Sequence, residues 1–266
     1  DRWSEGGYLP LVNFLVEEGI AVFSWDKPGI GESRGNWLAQ TMDDRAEEAA
    51  TVLHALRQEP ALRQSQVGFL GFSQAGWVVP AASDKAQADF AILIGPAINW
   101  RDQGFYYLRQ RLAMMGKPEG DIAQAVEDDT AEFERQFAPD IVSQPCSGQC
   151  NREDFERRNA FSDARESISS LHTPVMILMG EHDRNVNSAE TLDVWKSTLP
   201  EKTPHCFQLV DGATHGLLRS GWFDYQLASQ WPWWKHGLFL LAGRQAYAPG
   251  SLSRISGWVL QRECQR

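Results

Sequence analysis

The most informative stretch of this chain is Val67-Gly68-Phe69-Leu70-Gly71-Phe72-Ser73-Gln74-Ala75-Gly76. Its apolar run over 67–72 predicts a buried strand, and the residues from Gln74 to Lys85 predict a helix that starts directly after it. Ser73 therefore stands at a tight strand-to-helix turn, where the first helical turn points free N–H groups outward. This is the setting of a nucleophilic serine, and a helix N-cap serine is the alternative.

The match to the nucleophile pattern G-x-S-x-G is incomplete. Gly71 and Ser73 occupy the first two fixed positions, Ala75 takes the place of the last glycine, and Gly76 follows one residue later. Since alanine is also small, we expect the turn to form.

Outward from this stretch, strands alternate with helices along the chain. Short apolar runs predict strands, and apolar residues spaced three or four apart predict helices. The predicted strands are 20–25, 67–72, 90–94, 175–179 and 205–210, and the predicted helices are 7–18, 43–58, 74–85 and 188–199. This alternation indicates an α/β fold with a mostly parallel sheet that helices cover on both faces.

A long helical, charge-rich segment interrupts the alternation between the strand that ends near Ile94 and the strand that begins at Val175. A structureless loop of this length is uncommon in a compact domain. We therefore interpret residues 98–172 as an inserted helical cap, on a core formed by 1–97 and 173–266.

The composition of the 266 residues excludes several classes of protein. The net charge is −10 and the pI is about 5.1, which argues against nucleic-acid binding, because a phosphate backbone requires clustered basic residues. The longest apolar stretches, such as 238–242, are far shorter than the roughly 20 residues that cross a bilayer, so we expect no membrane span. The compartment and the oligomeric state stay open.

Four cysteines do not settle the redox environment either. Cys146 and Cys150 are close enough in sequence for a small-loop disulfide, whereas Cys206 and Cys264 pair only if the fold brings them together. No second pair of cysteines or histidines accompanies Cys146 and Cys150 at metal-binding spacing, so the sequence argues against zinc.

An acid and a histidine follow two later predicted strands. Asp183 lies in the segment 180–183, directly after the strand 175–179, and His215 lies in the segment 212–216, after the strand 205–210. Since the carboxyl ends of parallel strands meet at one edge of a sheet, we predict that Ser73, Asp183 and His215 meet there.

Two nearby residues compete for these roles. His182 adjoins Asp183 on the same loop, so its side chain is expected to point elsewhere. Asp211, at the end of the strand 205–210, is the second candidate for the acid.

These segments together resemble the α/β-hydrolase superfamily, and within it the bacterial hydrolases of the serine aminopeptidase and monoglyceride lipase branch. The order Ser, Asp, His is the order of triads in this superfamily, and the likeness runs from Gly7 to about Trp258. Asp26-Lys27-Pro28-Gly29-Ile30-Gly31-Glu32-Ser33 matches the D-x-x-G-x-G-x-S turn of the family, in which Ser33 has a structural role.

The resemblance implies a serine hydrolase that cleaves a small ester, a thioester or a short peptide amide through an acyl-enzyme. Ser73 is then the nucleophile, His215 the base and Asp183 the acid, with the backbone N–H of Gln74 as one oxyanion donor. No metal or organic cofactor is required, and the expected partner is a small-molecule substrate in a pocket shaped by the cap. The alternative is a non-catalytic or truncated relative that binds ligands or partners without turnover.

The chain departs from the family pattern at its start. In the family, a strand that ends in a His-Gly-rich segment precedes the first helix and supplies the second oxyanion donor. Here Asp1 and Arg2 resemble the residues just after that segment. We therefore expect a fragment of a longer polypeptide, in which the strand 20–25 lacks its central neighbour.

Overall fold

The computed structural model describes residues 8–264, and its elements follow the expected alternation. The strands are β1 (Phe69–Phe72), β2 (Ala91–Ile94), β3 (Val175–Gly180) and β4 (His205–Val210). The α-helices are α1 (Leu9–Glu17), α2 (Met42–Gln58), α3 (Ala75–Ala86), α4 (Trp100–Met114), α5 (Glu119–Gln136), α6 (Pro139–Val142), α7 (Arg152–Asn159), α8 (Arg165–Ser169), α9 (Ser188–Thr198), α10 (Ser220–Phe223), α11 (Trp233–Ala242) and α12 (Ser251–Gln261). Within the described range no helix combines the length and the apolar composition needed to cross a bilayer.

The four strands are parallel and lie in the order β1-β2-β3-β4, which confirms the predicted parallel sheet. The register pairs Ile94 of β2 with Phe72 of β1 and with Leu178 of β3, and it pairs Gly180 with Val210 of β4. The carboxyl ends of all four strands therefore lie side by side at one edge.

Alternate residues of β2 belong to two different cores. Ala91 and Leu93 pack with buried residues of α2, α3 and α9 on one face, whereas Ile92 and Ile94 pack with α1 and α12 on the other. Successive side chains of a strand point to opposite faces, and each fully buried leucine or isoleucine contributes roughly 1.5–3 kcal/mol. Helices on both faces thus hold the sheet in place and fix the edge where the strands end.

The predicted strand 20–25 does not form. Its residues are irregular, and Val22, Phe23 and Trp25 are 41%, 57% and 42% exposed. A strand is stable where a neighbouring strand takes its backbone hydrogen bonds, and in the described part of the chain no strand lies beside this segment. The expectation for Asp1 and Arg2 falls outside the described residues.

The segment 98–172 is helical, as expected. Helices α4 and α5 pack on each other, and the rings of Phe105 and Phe133 meet edge to face with centroids 6.1 Å apart. Further along, Phe155 and Ile168 are buried in the core on the face of α2 and α3. The segment therefore both forms an outer helical pair and completes the core, and the division of the chain into core and cap stays a prediction.

The four cysteines form two disulfides. Cys146 bonds to Cys150 within the 98–172 segment, and Cys206 of β4 bonds to Cys264 beyond α12. The second pairing follows from packing, because α12 lies on the sheet face toward which Cys206 points.

Candidate active site

Ser73 occupies the turn between β1 and α3 with a left-handed backbone, at φ +52°. This conformation costs a residue that carries a Cβ about 1–2 kcal/mol, and it is held by hydrogen bonds to the segment that ends β2. The Ser73 N–H donates to Ile94 O at 2.9 Å, and the Ser73 carbonyl accepts from the Ala97 N–H at 3.1 Å. Residues held in this way against backbone strain are concentrated at functional sites.

Close contacts require small residues on both sides of Ser73. A Cβ at Gly71 would lie 2.4 Å from the Cβ of Ala75, and a Cβ at Gly76 would lie 2.3 Å from the carbonyl oxygen of Ala97. Ala75 is tolerated in the place of the motif's last glycine because Gly71, which faces it, has no side chain. The tight turn therefore forms despite the incomplete motif.

Asp183 and His215 form a hydrogen-bonded pair. Asp183 Oδ2 lies 2.8 Å from His215 Nδ1, and Oδ1 accepts the backbone N–H groups of Asn185 and Val186, each at 2.8 Å. The Asp183 side chain is completely buried. Because an ionised carboxylate only accepts hydrogen bonds, Nδ1 of the neutral imidazole carries the proton and Nε2 is left as the acceptor. This is the tautomer that a general base needs.

Gly95, directly after β2, lies between the serine turn and the histidine. Its backbone is left-handed at φ +55°, and the preceding residue, Ile94, accepts the Ser73 N–H. A Cβ at position 95 would lie 2.7 Å from His215 Nδ1. Within residues 8–264, Ser73 Oγ makes no hydrogen bond to His215, a contact that in catalytic serines often tightens only when substrate binds.

Gln74 begins α3 and presents two groups beside Ser73. Its backbone N–H makes no hydrogen bond to any described residue, so it is a free donor at the start of a helix. Its side chain is fixed, because Gln74 Oε1 accepts a hydrogen bond from Nη1 of Arg45 in α2 at 2.8 Å. A free N–H next to a nucleophile is suited to an oxyanion.

The two rival residues do not join the pair. His182 is half exposed, and its Nε2 lies 3.6 Å from a carboxylate oxygen of Glu181. Asp211 is exposed, whereas the oxygen that bonds His215 belongs to Asp183.

Sequence reasoning missed the contacts that hold the loop carrying Asp183. Tyr106 of α4 donates its hydroxyl to the backbone oxygen of Asp183 at 2.9 Å, and Gln103 donates to that of Asn185 at 3.0 Å. Burial, and then the charge of Asp183, raise the pKa of the Tyr106 hydroxyl, so it stays a donor. Tyr106 and Asp183 are 77 residues apart, and no local pattern signals that they meet.

One group of possible metal ligands occurs among the described residues, formed by Cys146, Cys150 and Asp154 with their ligand atoms within 4.8 Å of one another. The two sulfurs are joined in a disulfide, so neither offers the thiolate that a metal requires.

A parallel sheet covered by helices, with a serine turn after β1 and an acid–histidine pair from the loops after β3 and β4, defines an α/β-hydrolase. The family model described as "Serine aminopeptidase, S33" matches residues 3–220. The chain belongs to this family. No curated protein sequence matches it.

Solved structures with a similar fold include a monoacylglycerol lipase, an esterase and a protein with bound ferulic acid. The monoacylglycerol lipase of Paleococcus ferrophilus is 17% identical with a TM-score of 0.52, and the match covers 97% of this chain and 90% of that one. The esterase Pf2001 of Pyrococcus furiosus is 17% identical with a TM-score of 0.53, and the match covers 92% of this chain and 76% of the esterase. Est1E of Butyrivibrio proteoclasticus, solved with ferulic acid, is 15% identical with a TM-score of 0.52, and the match covers 89% of this chain and 82% of Est1E. At these identities the likeness shows the fold.

Proposed function

We propose that this chain is a serine hydrolase that cleaves a small ester through an acyl-enzyme, with Ser73 as nucleophile, His215 as general base and Asp183 as the residue that orients the imidazole. The observation that carries the proposal is the 2.8 Å contact between His215 Nδ1 and the buried carboxylate of Asp183. Membership of a hydrolase family supports it. The structural neighbours named as a monoacylglycerol lipase and an esterase favour an ester as the substrate.

The reaction begins when His215 Nε2 takes the proton of Ser73 Oγ and Oγ attacks the ester carbonyl. Asp183 stabilises the imidazolium that forms, and the Gln74 N–H donates to the oxyanion. The tetrahedral intermediate collapses, and the leaving alcohol takes the proton from Nε2. Water then attacks the acyl-enzyme with His215 again as base, which releases the acid and restores Ser73.

Helix α4 of the 98–172 segment borders this site, because Tyr106 and Gln103 bond to the loop of Asp183. In the proposed enzyme this segment shapes the substrate pocket. Thioesters and short peptide amides react through the same steps, and the family description includes aminopeptidases. Substrates of these two classes are therefore the second set to assay after simple esters.

The intact mass after exposure to a fluorophosphonate tests the proposal on the wild-type chain, Ser73→Ala and Ser33→Ala. Ser33 is a matched control, since it is also a loop serine, and its hydroxyl donates to the backbone oxygen of Asp26 at 3.0 Å. We expect one phosphonyl adduct on the wild type and on Ser33→Ala and none on Ser73→Ala, whose ester turnover falls by about 10⁴-fold or more.

Two outcomes would overturn the proposal. An adduct that persists on Ser73→Ala would place the nucleophile elsewhere. No adduct on the folded wild-type chain would favour the alternative of a non-catalytic relative that binds ligands or partners.

A further inference from the structure

Two cations, Lys27 and Arg45, act on each other through their charges, and Arg45 contacts the residue that follows Ser73. Arg45, in the first turn of α2, donates from Nη1 to Gln74 Oε1 at 2.8 Å. Lys27 stands over the ring of Trp37, with its Nζ 4.9 Å from the ring centroid. It is close enough to Arg45 for the two charges to repel each other. Both cations are half-buried.

Neither cation has a carboxylate partner within residues 8–264. Among the described residues, no ion pair involves Lys27 or Arg45. Glu48 is the acid whose charge acts on both of them, but its two oxygens accept hydrogen bonds from neutral donors. These donors are Trp25 Nε1 at 2.7 Å and Gln40 Nε2 at 2.6 Å.

Two other half-buried arginines of this chain do have a carboxylate partner. Arg57 lies 3.1 Å from Asp89, and Arg184 lies 2.9 Å from Asp224. Lys27 is instead left in an unfavourable setting: burial, and then the charge of Arg45, lower its pKa to about 8. Perturbed, unpaired charges of this kind mark binding sites.

We propose that Lys27 and Arg45 form an anion-binding subsite near Ser73, and that this subsite takes a carboxylate carried by the ester substrate. The inference deepens the proposed function and rests on Ser73 being the nucleophile. The planar guanidinium of Arg45 fits a carboxylate, and Lys27 adds a point charge. With Glu48, the two cations and one carboxylate leave a net charge of +1, which suits a monoanion better than a dianionic phosphate.

Matched pairs of 4-nitrophenyl esters test the subsite. Each pair has the same acyl length and differs in a terminal carboxylate: succinate against butyrate, glutarate against valerate, and adipate against hexanoate. The measured quantity is the ratio of kcat/KM for the charged ester to that for the neutral ester. Since Arg45 also holds Gln74, a loss of positioning lowers both rates together, whereas a loss of the subsite lowers the ratio.

We expect Arg45→Met and Lys27→Met each to lower this ratio about tenfold for at least one acyl length, the effect of losing one charge-assisted contact. Arg45→Lys should retain part of the preference. Lys85→Met is the matched control, since it removes one positive charge from an exposed lysine on α3 that pairs with Glu47. An unchanged ratio in Arg45→Met at all three lengths would overturn the inference.

A binding measurement separates this inference from the proposed function. In the Ser73→Ala protein, monomethyl glutarate, which carries one carboxylate, should raise the melting temperature more than the uncharged methyl valerate does at equal ionic strength, and adding Arg45→Met should remove the difference. If no ester is turned over but this difference is seen, the proposed function fails and the subsite stands. If neutral esters are cleaved but monomethyl glutarate and methyl valerate act alike, the subsite is wrong and the proposed function stands.

Discussion

Gly95 lies directly against His215: a Cβ at position 95 would stand 2.7 Å from Nδ1, the same nitrogen that bonds Asp183. The left-handed backbone at φ +55° turns the chain away at the end of β2 and leaves room for the imidazole. The position of the histidine is therefore set from two sides, by a carboxylate that it bonds and by a residue that has no side chain.

Gly95→Ala should displace the imidazole and lower kcat/KM on the order of 10²-fold, since a shift of about 1 Å in a reacting group has this effect. Gly116→Ala is the matched control, because Gly116 is also left-handed, at φ +73°, but a Cβ there has no neighbour within 4 Å. Backbone strain should lower the melting temperature of both variants by a similar amount. Full activity in a folded Gly95→Ala would show that His215 is not the base.

Asp183→Asn should lower turnover by about 10³–10⁴-fold, because the amide no longer supports the imidazolium or fixes its tautomer. The steady-state rate on a 4-nitrophenyl ester measures this loss. Asp211→Asn is the matched control, because it removes the carboxylate of the second candidate acid, which is exposed. This variant should keep wild-type turnover. The reverse pattern would assign the acid to position 211.

Cys264→Ser should destabilise the protein more than Cys150→Ser. The Cys206–Cys264 bond closes a loop with a separation of 58 residues, whereas Cys146–Cys150 closes one with a separation of 4. The chain-entropy contribution grows with loop length and is about 4 kcal/mol for the longer loop and about 2 kcal/mol for the shorter one. Urea unfolding of the two variants gives the comparison, and equal midpoints would contradict it.

Lys27→Met should raise the melting temperature at pH 7, whereas the replacement of a lysine that stabilises the fold would lower it. The pKa of Lys27 is about 8 in the folded protein against an ordinary 10.5, so the unfolded chain holds this proton more tightly. The stability contribution of Lys27 is thus low below pH 8 and rises between pH 8 and 10.5. The charged groups that act on it are Arg45 and Glu48. The advantage of Lys27→Met should therefore shrink across that window, and a variant less stable than wild type at pH 7 would contradict the prediction.

Most of the sheet could be predicted from the sequence because short apolar runs and helical spacing act locally. The strand β4 begins and ends where the predicted strand does, at His205 and Val210. The segment 20–25 has the same kind of pattern, yet it stays irregular and exposed. Its pattern indicates a preference for an extended backbone, whereas strand formation also requires a neighbouring strand that takes the backbone hydrogen bonds.

The pattern of residues was enough to predict an α/β protein with a serine, an acid and a histidine directly after buried strands. Parallel strands bring their carboxyl ends to one edge wherever they lie in the chain, so the pattern also predicted that these three residues share that edge. The roles of Ser73, Asp183 and His215 stay a prediction. Two contacts could be seen only in the folded protein: His215 bonds Asp183 rather than Asp211, and Arg45 bonds Gln74. Such contacts depend on how elements far apart in the sequence pack together, and the local spacing of residues does not predict this packing.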